Sequence, residues 1–124
     1  MKQPAFPNHP QAAAPAEAAA VRFVRGMGAR PTLSGYRFLI KAIELALRNP
    51  MLSGSMMHGL YPAVADCFRV SASSVEHNIR KVIEDAYYND PQRLQSMFYY
   101  RCSKPSISEV IAMALESEQQ PLKY

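Results

Sequence analysis

Six polar residues between positions 73 and 81 have side chains of the types that bind the edges of DNA bases. Arginine can donate two hydrogen bonds to guanine, glutamate can accept one from the amino group of cytosine, and serine or histidine can donate or accept. Arginine can also bind phosphate. The types and spacing of these residues predict a DNA-binding surface, made of Ser73, Ser74, Glu76, His77, Arg80 and Lys81.

The same residues also fit an ordinary helix surface. Ser73 and Glu76 have the spacing of a capping box, and Arg80 lies four residues from both Glu76 and Glu84, the separation at which ion pairs form along a helix. Pairs of helices joined by a tight turn also occur in proteins that never bind DNA. From the residues alone, a DNA-binding protein and a protein-interaction module are both open hypotheses.

The segment from Leu60 to Tyr88 predicts the elements that position these side chains: a short helix, a tight turn and a longer amphipathic helix. Apolar residues recur there at three- and four-residue steps, which is typical of a helix-turn-helix. We expect the two helices to approach most closely at Ala65, and we expect Val70 to fill the space under the turn. The residues predicted to face inward are Val64, Ala65, Phe68, Val75, Ile79, Val82, Ile83 and Ala86.

The rest of the chain also has helical spacing, and no segment alternates apolar and polar residues as a strand would. This predicts an all-α fold, a six-helix bundle containing a helix-turn-helix at about residues 56–88. Before the motif, we expect one helix from Glu17 to the glycines at 26 and 28, and a second from an N-cap at Ser34 to just before Asn49. A third should begin near Ser55, with a kink or a restart near Tyr61. After the motif, we expect a helix from Gln92 to Tyr99 and a last one from Ser106 to Glu116; Leu94, Met97 and Phe98 should face inward, and Ser106 and Glu109 should form a capping box.

The helix that begins near Ser34 has a clear apolar stripe. Its predicted core residues are Tyr36, Leu39, Ile40, Ile43 and Leu47. Its predicted exposed residues are Arg37, Lys41, Glu44 and Arg48.

The composition changes once along the chain. Residues 1–20 contain four prolines and eight alanines and almost no large apolar side chains, so they cannot contribute much to a core. We expect a flexible Pro/Ala-rich arm at 1–19, one helical domain at 20–118 and a short tail at 119–124.

The chain is mildly basic. Its 14 basic and 10 acidic residues give a net charge of +4 and a pI near 9.2, which suits a polyanionic partner and equally suits a slightly basic protein without one. No apolar run approaches the roughly 18 residues that span a bilayer, and the N-terminus lacks the apolar core of a signal peptide. We therefore expect a cytoplasmic protein with no membrane partner.

No pattern of residues indicates catalysis or metal binding. Cys67 and Cys102 are far apart in the sequence, and we expect Cys67 to be a buried reduced thiol. His9, His58 and His77 have no carboxylate or cysteine at a suitable spacing, and there is no glycine-rich phosphate loop. These observations predict no enzymatic activity, no cofactor and no metal.

An aromatic cluster lies at the end of the predicted fifth helix. Phe98, Tyr99 and Tyr100 precede Arg101. These rings could stack on bases, or they could close one end of the core, as amphipathic aromatic residues do in small domains.

Four segments together resemble a known family. They are Gly-Tyr-Arg-Phe-Leu at 35–39, Leu-Tyr-Pro-x-Val-Ala at 60–65, Ser-x-Val-Glu-x-x-Ile-Arg-x-x-Ile-Glu at 73–84, and Lys-Pro-Ser-x-x-Glu-x-Ile-Ala at 104–112. In this order they resemble the DNA-binding effector domain of the stage zero sporulation response regulator, over about residues 20–116. The resemblance implies a bundle of six helices in which the third and fourth form the helix-turn-helix.

The resemblance also implies function and partners. The family binds a short promoter box in double-stranded DNA with two copies of the domain in tandem, and it activates or represses transcription. The resemblance therefore also implies the sigma subunit of RNA polymerase as a partner. Glu76 matches the family's base-reading glutamate, and Arg80 matches an arginine on the same helix. Ser74 and His77 stand where the family usually has arginines, so we expect a different box or a lower affinity.

A second departure concerns regulation. The family's regulator normally carries an N-terminal receiver domain that is phosphorylated on aspartate, whereas only residues 1–19 precede the helical part of this sequence. We therefore expect no receiver and no intrinsic phosphorelay control. Three hypotheses follow: a stand-alone constitutive regulator, a competitor of the full-length regulator, or a protein-interaction module.

Overall fold

The computed structural model describes residues 8–98 and 103–119 of the 124-residue chain. Across these two ranges there is no strand, and the all-α prediction is confirmed. None of the helices in the two ranges is long and apolar enough to cross a membrane. The elements are α1 (Asn8–Gly26), α2 (Ser34–Arg48), a 3₁₀ turn (Pro50–Gly54), a π turn (Met56–Leu60), α3 (Tyr61–Phe68), α4 (Ala72–Asn89), α5 (Pro91–Met97) and α6 (Ile107–Gln119).

Helix α2 lies at the centre of the bundle, in contact with α1, α3, α4 and α6. Because it meets neighbours on several sides, its buried surface is wider than a single stripe. Leu39 and Ile43 are fully buried as predicted, but Tyr36, Ile40 and Leu47 are only partly buried. The buried positions that the stripe did not include are Phe38, Ala42 and Ala46.

Glu44 is buried, and the prediction that it is exposed was wrong. Only 4% of the residue is accessible to solvent. Its carboxylate accepts from Lys41 at 3.0 Å and from Arg48 at 2.7 Å, so two cations on the same helix compensate the charge.

The start of α2 also differs from the prediction. Leu33 is the N-cap, in an extended conformation and without a side-chain cap, and Ser34 is the first helical residue. Leu33 packs against the core, and this apolar contact takes the place of the polar cap that Ser34 was expected to supply.

Helix α1 begins at Asn8, so the predicted start at Glu17 was wrong. Alanine has the highest helix propensity of all residues, and the alanine-rich segment continues the helix toward the N-terminus across Pro15. The predicted apolar face is present, since Ala20, Val24 and Met27 are buried. That residues 1–19 form a flexible arm separate from the domain at 20–118 stays a prediction.

The predicted restart of the helix near Tyr61 is confirmed. The amide of Tyr61 donates to the carbonyl oxygen of Met56, five residues back, which makes the preceding turn a π turn. Pro62 has no amide hydrogen to donate. The wider turn therefore precedes α3, which has its proline in the first turn, where a missing donor is tolerated.

The predicted end of α4 and the predicted starts of α5 and α6 agree with the structure to within one residue, whereas α5 ends at Met97 rather than Tyr99 and α6 at Gln119 rather than Glu116. Helix α4 ends at Asn89. Asp90 then caps α5, in which Leu94 is fully buried. The capping box before α6 is formed by two hydrogen bonds: the Ser106 amide donates to Glu109 Oε1 at 2.9 Å, and the Glu109 amide donates to Ser106 Oγ at 3.1 Å.

The aromatic cluster at 98–100 is only partly described. Phe98 is buried in the core, in keeping with the core-closing interpretation. Tyr99, Tyr100 and Arg101 lie outside the described residues.

Candidate nucleic-acid interface

Helices α3 and α4 form a helix-turn-helix joined by residues 69–71. Arg69 adopts the left-handed conformation, with φ of 56°, and its amide donates to the carbonyl oxygen of Ala65. The amide of Val70 donates to the same oxygen at 3.1 Å. These two hydrogen bonds cap the C-terminus of α3, and Arg69 takes the left-handed position that glycine usually occupies in such a cap.

Two predictions about this motif were wrong. Val70 is 37% exposed and does not fill the turn; Phe68 packs against Phe38 instead, with ring centroids 5.0 Å apart. Cys67 is exposed rather than buried, because Tyr61, Val64 and Ala65 form the inward face of α3 and leave position 67 outside.

A glycine sets the position of α4 against the centre of the bundle. A Cβ atom on Gly35 of α2 would lie 1.9 Å from the carbonyl oxygen of Asn78 on α4. The backbones of α2 and α4 can therefore approach each other this closely only because residue 35 has no side chain. Ala65, where we expected the closest approach of α3 and α4, is buried as predicted.

The first turn of α4 is capped by Ser71. Its hydroxyl oxygen accepts from the Ser74 amide at 3.0 Å and lies 3.3 Å from the hydroxyl of Ser73. The capping box considered between Ser73 and Glu76 is therefore not formed. Ser73 is exposed at the helix start.

Ser74 accepts hydrogen bonds from a residue of its own helix. The side-chain amide of Asn78 donates to the Ser74 carbonyl oxygen at 2.8 Å and to its hydroxyl at 3.3 Å. Ser74 is half-buried as a result of its position near the edge of the outward face.

Glu76 and Arg80 form an ion pair with two hydrogen bonds. Arg80 Nε donates to Glu76 Oε2 at 3.0 Å, and Arg80 Nη2 donates to Oε1 at 2.8 Å. The bond from Arg80 is the main cause that lowers the pKa of Glu76, and the same bond raises the pKa of Arg80. One of the two helix-surface pairs considered from the sequence is therefore present.

His77 and Lys81 are exposed on the same side of α4. Lys81 has no ion-pair partner in the part of the chain that the structure describes. The structure thus brings Ser73, Ser74, Glu76, His77, Arg80 and Lys81 onto one outward surface of α4, while the opposite face, with Val75, Ile79 and Val82, is buried.

Three residues that the sequence did not single out adjoin this surface. Arg69 is exposed in the turn. Tyr61 is buried beneath Glu76 and Arg80, and burial is the main cause that raises its pKa. Lys104 lies beside α4 and donates to Glu84 at 2.9 Å. The positive φ of Arg69 has no sequence signal, and the Lys104 contact joins residues 20 positions apart.

An open pocket of about 430 Å³ lies between α3, α4 and the start of α6. Its lining includes Tyr61, Arg80, Ile83, Lys104 and Ser106. Among the described residues there is no cluster of three or more potential metal ligands. The surface is suited to hydrogen bonding and ion pairing with a polar, elongated partner.

The two packed helices, the tight turn and the polar outward face of the second helix define a helix-turn-helix domain of the DNA-binding class. Residues 21–117 match the family model described as "Sporulation initiation factor Spo0A C terminal". Since the match covers more than three quarters of the sequence, the chain belongs to this family, whose members are DNA-binding domains that regulate transcription in sporulation.

Proposed function

We propose that this chain is a sequence-specific transcriptional regulator that inserts α4 into the major groove of a promoter box. The observation that carries the proposal is the outward face of α4: it is polar from its first turn onward and presents Glu76 and Arg80 as an aligned pair. In a helix-turn-helix, the N-terminal half of the second helix is the part that reaches base edges.

The residues divide into two groups by what they can bind. Arg80 has a planar fork of donors that suits guanine, and Glu76 can accept from cytosine on the neighbouring pair. Ser73 lies in the first turn of α4 and His77 lies directly after Glu76, and either can donate or accept. Lys81, which lacks an ion-pair partner in residues 8–98 and 103–119, is placed to bind phosphate.

The promoter box is proposed to differ from the family's usual one. Ser74 and His77 replace arginines, and the Ser74 hydroxyl already accepts a hydrogen bond from Asn78. Two guanidinium groups fewer should reduce guanine readout and weaken phosphate binding.

A second candidate, a protein-interaction module or a competitor of the full-length regulator with weakened DNA binding, is favoured by one observation. Glu76 and Arg80 neutralise each other in the free protein, so binding must exchange their mutual hydrogen bonds for bonds to bases. A second copy in tandem on the DNA and the sigma subunit of RNA polymerase are proposed partners. Met51 and Met57, which are 83% and 64% exposed, offer apolar surface for a protein contact.

The test is selection of preferred sites from a random duplex library, followed by titration of the selected duplex at two salt concentrations. We expect a short box, bound at least about a thousandfold more tightly than random DNA. Arg80→Ala should weaken binding to that box by about 1 to 3 kcal/mol and relax the base preference. Its unfolding free energy should stay within about 1 kcal/mol of wild type, as at other surface positions.

Arg25→Ala is the matched control, because Arg25 is also an exposed arginine but lies on α1. It removes the same charge and should leave the base preference unchanged. No enriched box, or equal losses in the two variants, would contradict sequence-specific reading by α4 and favour the interaction module.

A further inference from the structure

We propose that Lys104 is a positioning residue for DNA recognition: by binding Glu84, it leaves Arg80 paired with Glu76 at the groove-reading end of α4. The inference rests on the proposed function of α4. It adds a residue from outside the helix-turn-helix to the determinants of base preference.

The charges along this edge of α4 alternate in sign. Glu76, Arg80 and Glu84 follow one another at four-residue spacing, and Lys104 completes the row from the segment before α6. Arg80 can reach a carboxylate on either side, toward the start of α4 or toward its end. In the structure Arg80 is bound to Glu76, and Glu84 is bound to Lys104 at 2.9 Å.

Lys104 is held in place by its neighbours. Pro105 is buried, and the capping box of Ser106 and Glu109 fixes the chain directly after it. The ammonium group also lies 5.8 Å from the centre of the Tyr88 ring, within the range of a cation–π contact. The position of the cation is therefore set by the fold rather than by the side chain alone.

Without Lys104, Glu84 would compete for Arg80. The bond from Lys104 is the main cause that lowers the pKa of Glu84, and the charge of Arg80 contributes further. A carboxylate that loses its lysine would attract the arginine one turn away, toward the end of α4 and away from its first turns. Arg80 would then exchange between pairing with Glu76 and pairing with Glu84. Only the arrangement with Glu76 places its guanidinium group for the proposed base contact.

The first experiment needs no DNA. The pKa of the Glu76 carboxyl group is measured by NMR in the wild type, in Lys104→Met, and in Lys104→Met combined with Glu84→Gln. Methionine keeps an unbranched side chain against Tyr88 and removes the charge. We expect the Glu76 pKa to rise toward its ordinary value in Lys104→Met and to return to the wild-type value in the double variant.

Lys81→Met is the matched control, since Lys81 is a lysine on α4 without an ion-pair partner in the described residues. It should leave the Glu76 pKa unchanged. An equal Glu76 pKa in Lys104→Met and Lys81→Met would overturn the positioning role.

The second experiment uses the selected box and a duplex with one substituted base pair. The ratio of the two affinities should fall about 1.5-fold to twofold in Lys104→Met, the size of a competing helix ion pair. It should recover in the double variant with Glu84→Gln and in Lys104→Arg, while the salt dependence of binding stays as in wild type.

A uniform loss of affinity on both duplexes, with a smaller salt dependence and no recovery in the double variant, would identify Lys104 as a direct phosphate contact and overturn the proposal. If the wild type selects no box, the proposed function fails. The Glu76 pKa measurement still decides whether Lys104 controls the partner of Arg80.

Discussion

At the scale of single residues, Arg69 combines a conformational cost with a useful charge. It is the only non-glycine residue with positive φ in the described chain, and a left-handed conformation costs an L-residue roughly 1 kcal/mol or more. Its side chain is exposed beside the first turn of α4. We expect that the charge contributes to binding of the DNA backbone.

Arg69→Gly should therefore change stability and binding in opposite directions. Glycine adopts the left-handed conformation without strain, so the free energy of unfolding should rise by up to about 1 kcal/mol. Loss of the charge should weaken binding equally on all duplexes and reduce the salt dependence by about one unit. Urea unfolding and titration at several salt concentrations measure the two effects, and lower stability together with unchanged binding would contradict both.

The sequence predicted which residues form the candidate site, but it did not predict which of them pair with one another. The spacing of Arg80 allowed a pair with either Glu76 or Glu84, and it could not decide between them. In the structure Glu84 is bound by Lys104, which approaches from a different part of the chain, and we propose that this contact decides the partner of Arg80. Contacts of this kind follow from the packing of the whole bundle and have no local pattern.

At the scale of the elements, Gly35 limits how α2 and α4 can pack. An alanine there would place its Cβ against the backbone carbonyl of Asn78, and a backbone atom cannot move aside as a flexible side chain does. Gly35→Ala should destabilise the domain by about 3 kcal/mol or more, or prevent folding. Thermal and urea unfolding measure the loss.

Gly26→Ala is the control for this change. Gly26 lies at the end of α1, and a Cβ atom added there would have no neighbour within 4 Å. Alanine should be neutral or stabilising by up to about 1 kcal/mol. Similar losses in both variants would contradict the close approach of α2 and α4 as the cause.

Helical periodicity predicted most of the elements because their apolar faces pack inward. The spacing of α4 named Val75, Ile79, Val82, Ile83 and Ala86, all of which are buried. It failed at Glu44, because a charged residue paired with two cations on its own helix can be buried. It also failed at Val70, because the direction of a side chain in a turn depends on the backbone angles and not on spacing.

At the scale of the whole molecule, we expect that the chain before Pro15 is not needed for folding of the core. Among the residues of α1 whose burial is described, from Pro15 onward, residues 15–18 are exposed or half-buried and Ala19 is the first that is buried. Deleting residues 1–14 should leave the melting temperature and the helical signal per folded residue nearly unchanged. Pro15 would then begin the helix, the position at which proline is best tolerated.

Deleting residues 1–24 gives the contrasting result. This removes Ala20, Phe23 and Val24 from the core, and loss of several buried apolar side chains should abolish cooperative unfolding. Circular dichroism during heating compares the two deletions. A loss of cooperativity in the shorter deletion would refute the proposed dispensability of the arm.

Two pairs of residues join the region around residues 26–30 to the second half of the chain. Arg30 binds Asp85 on α4 with two hydrogen bonds, at 2.8 and 2.6 Å, and Arg93 donates to the carbonyl oxygen of Gly26 at 2.9 Å. These contacts span 55 and 67 positions of sequence, so the chain from the end of α1 to the start of α2 is bonded to both α4 and α5. We therefore expect the amide hydrogens at the centre of α4 to exchange with solvent only when the entire bundle opens, so that the surface that α4 presents lasts as long as the native state.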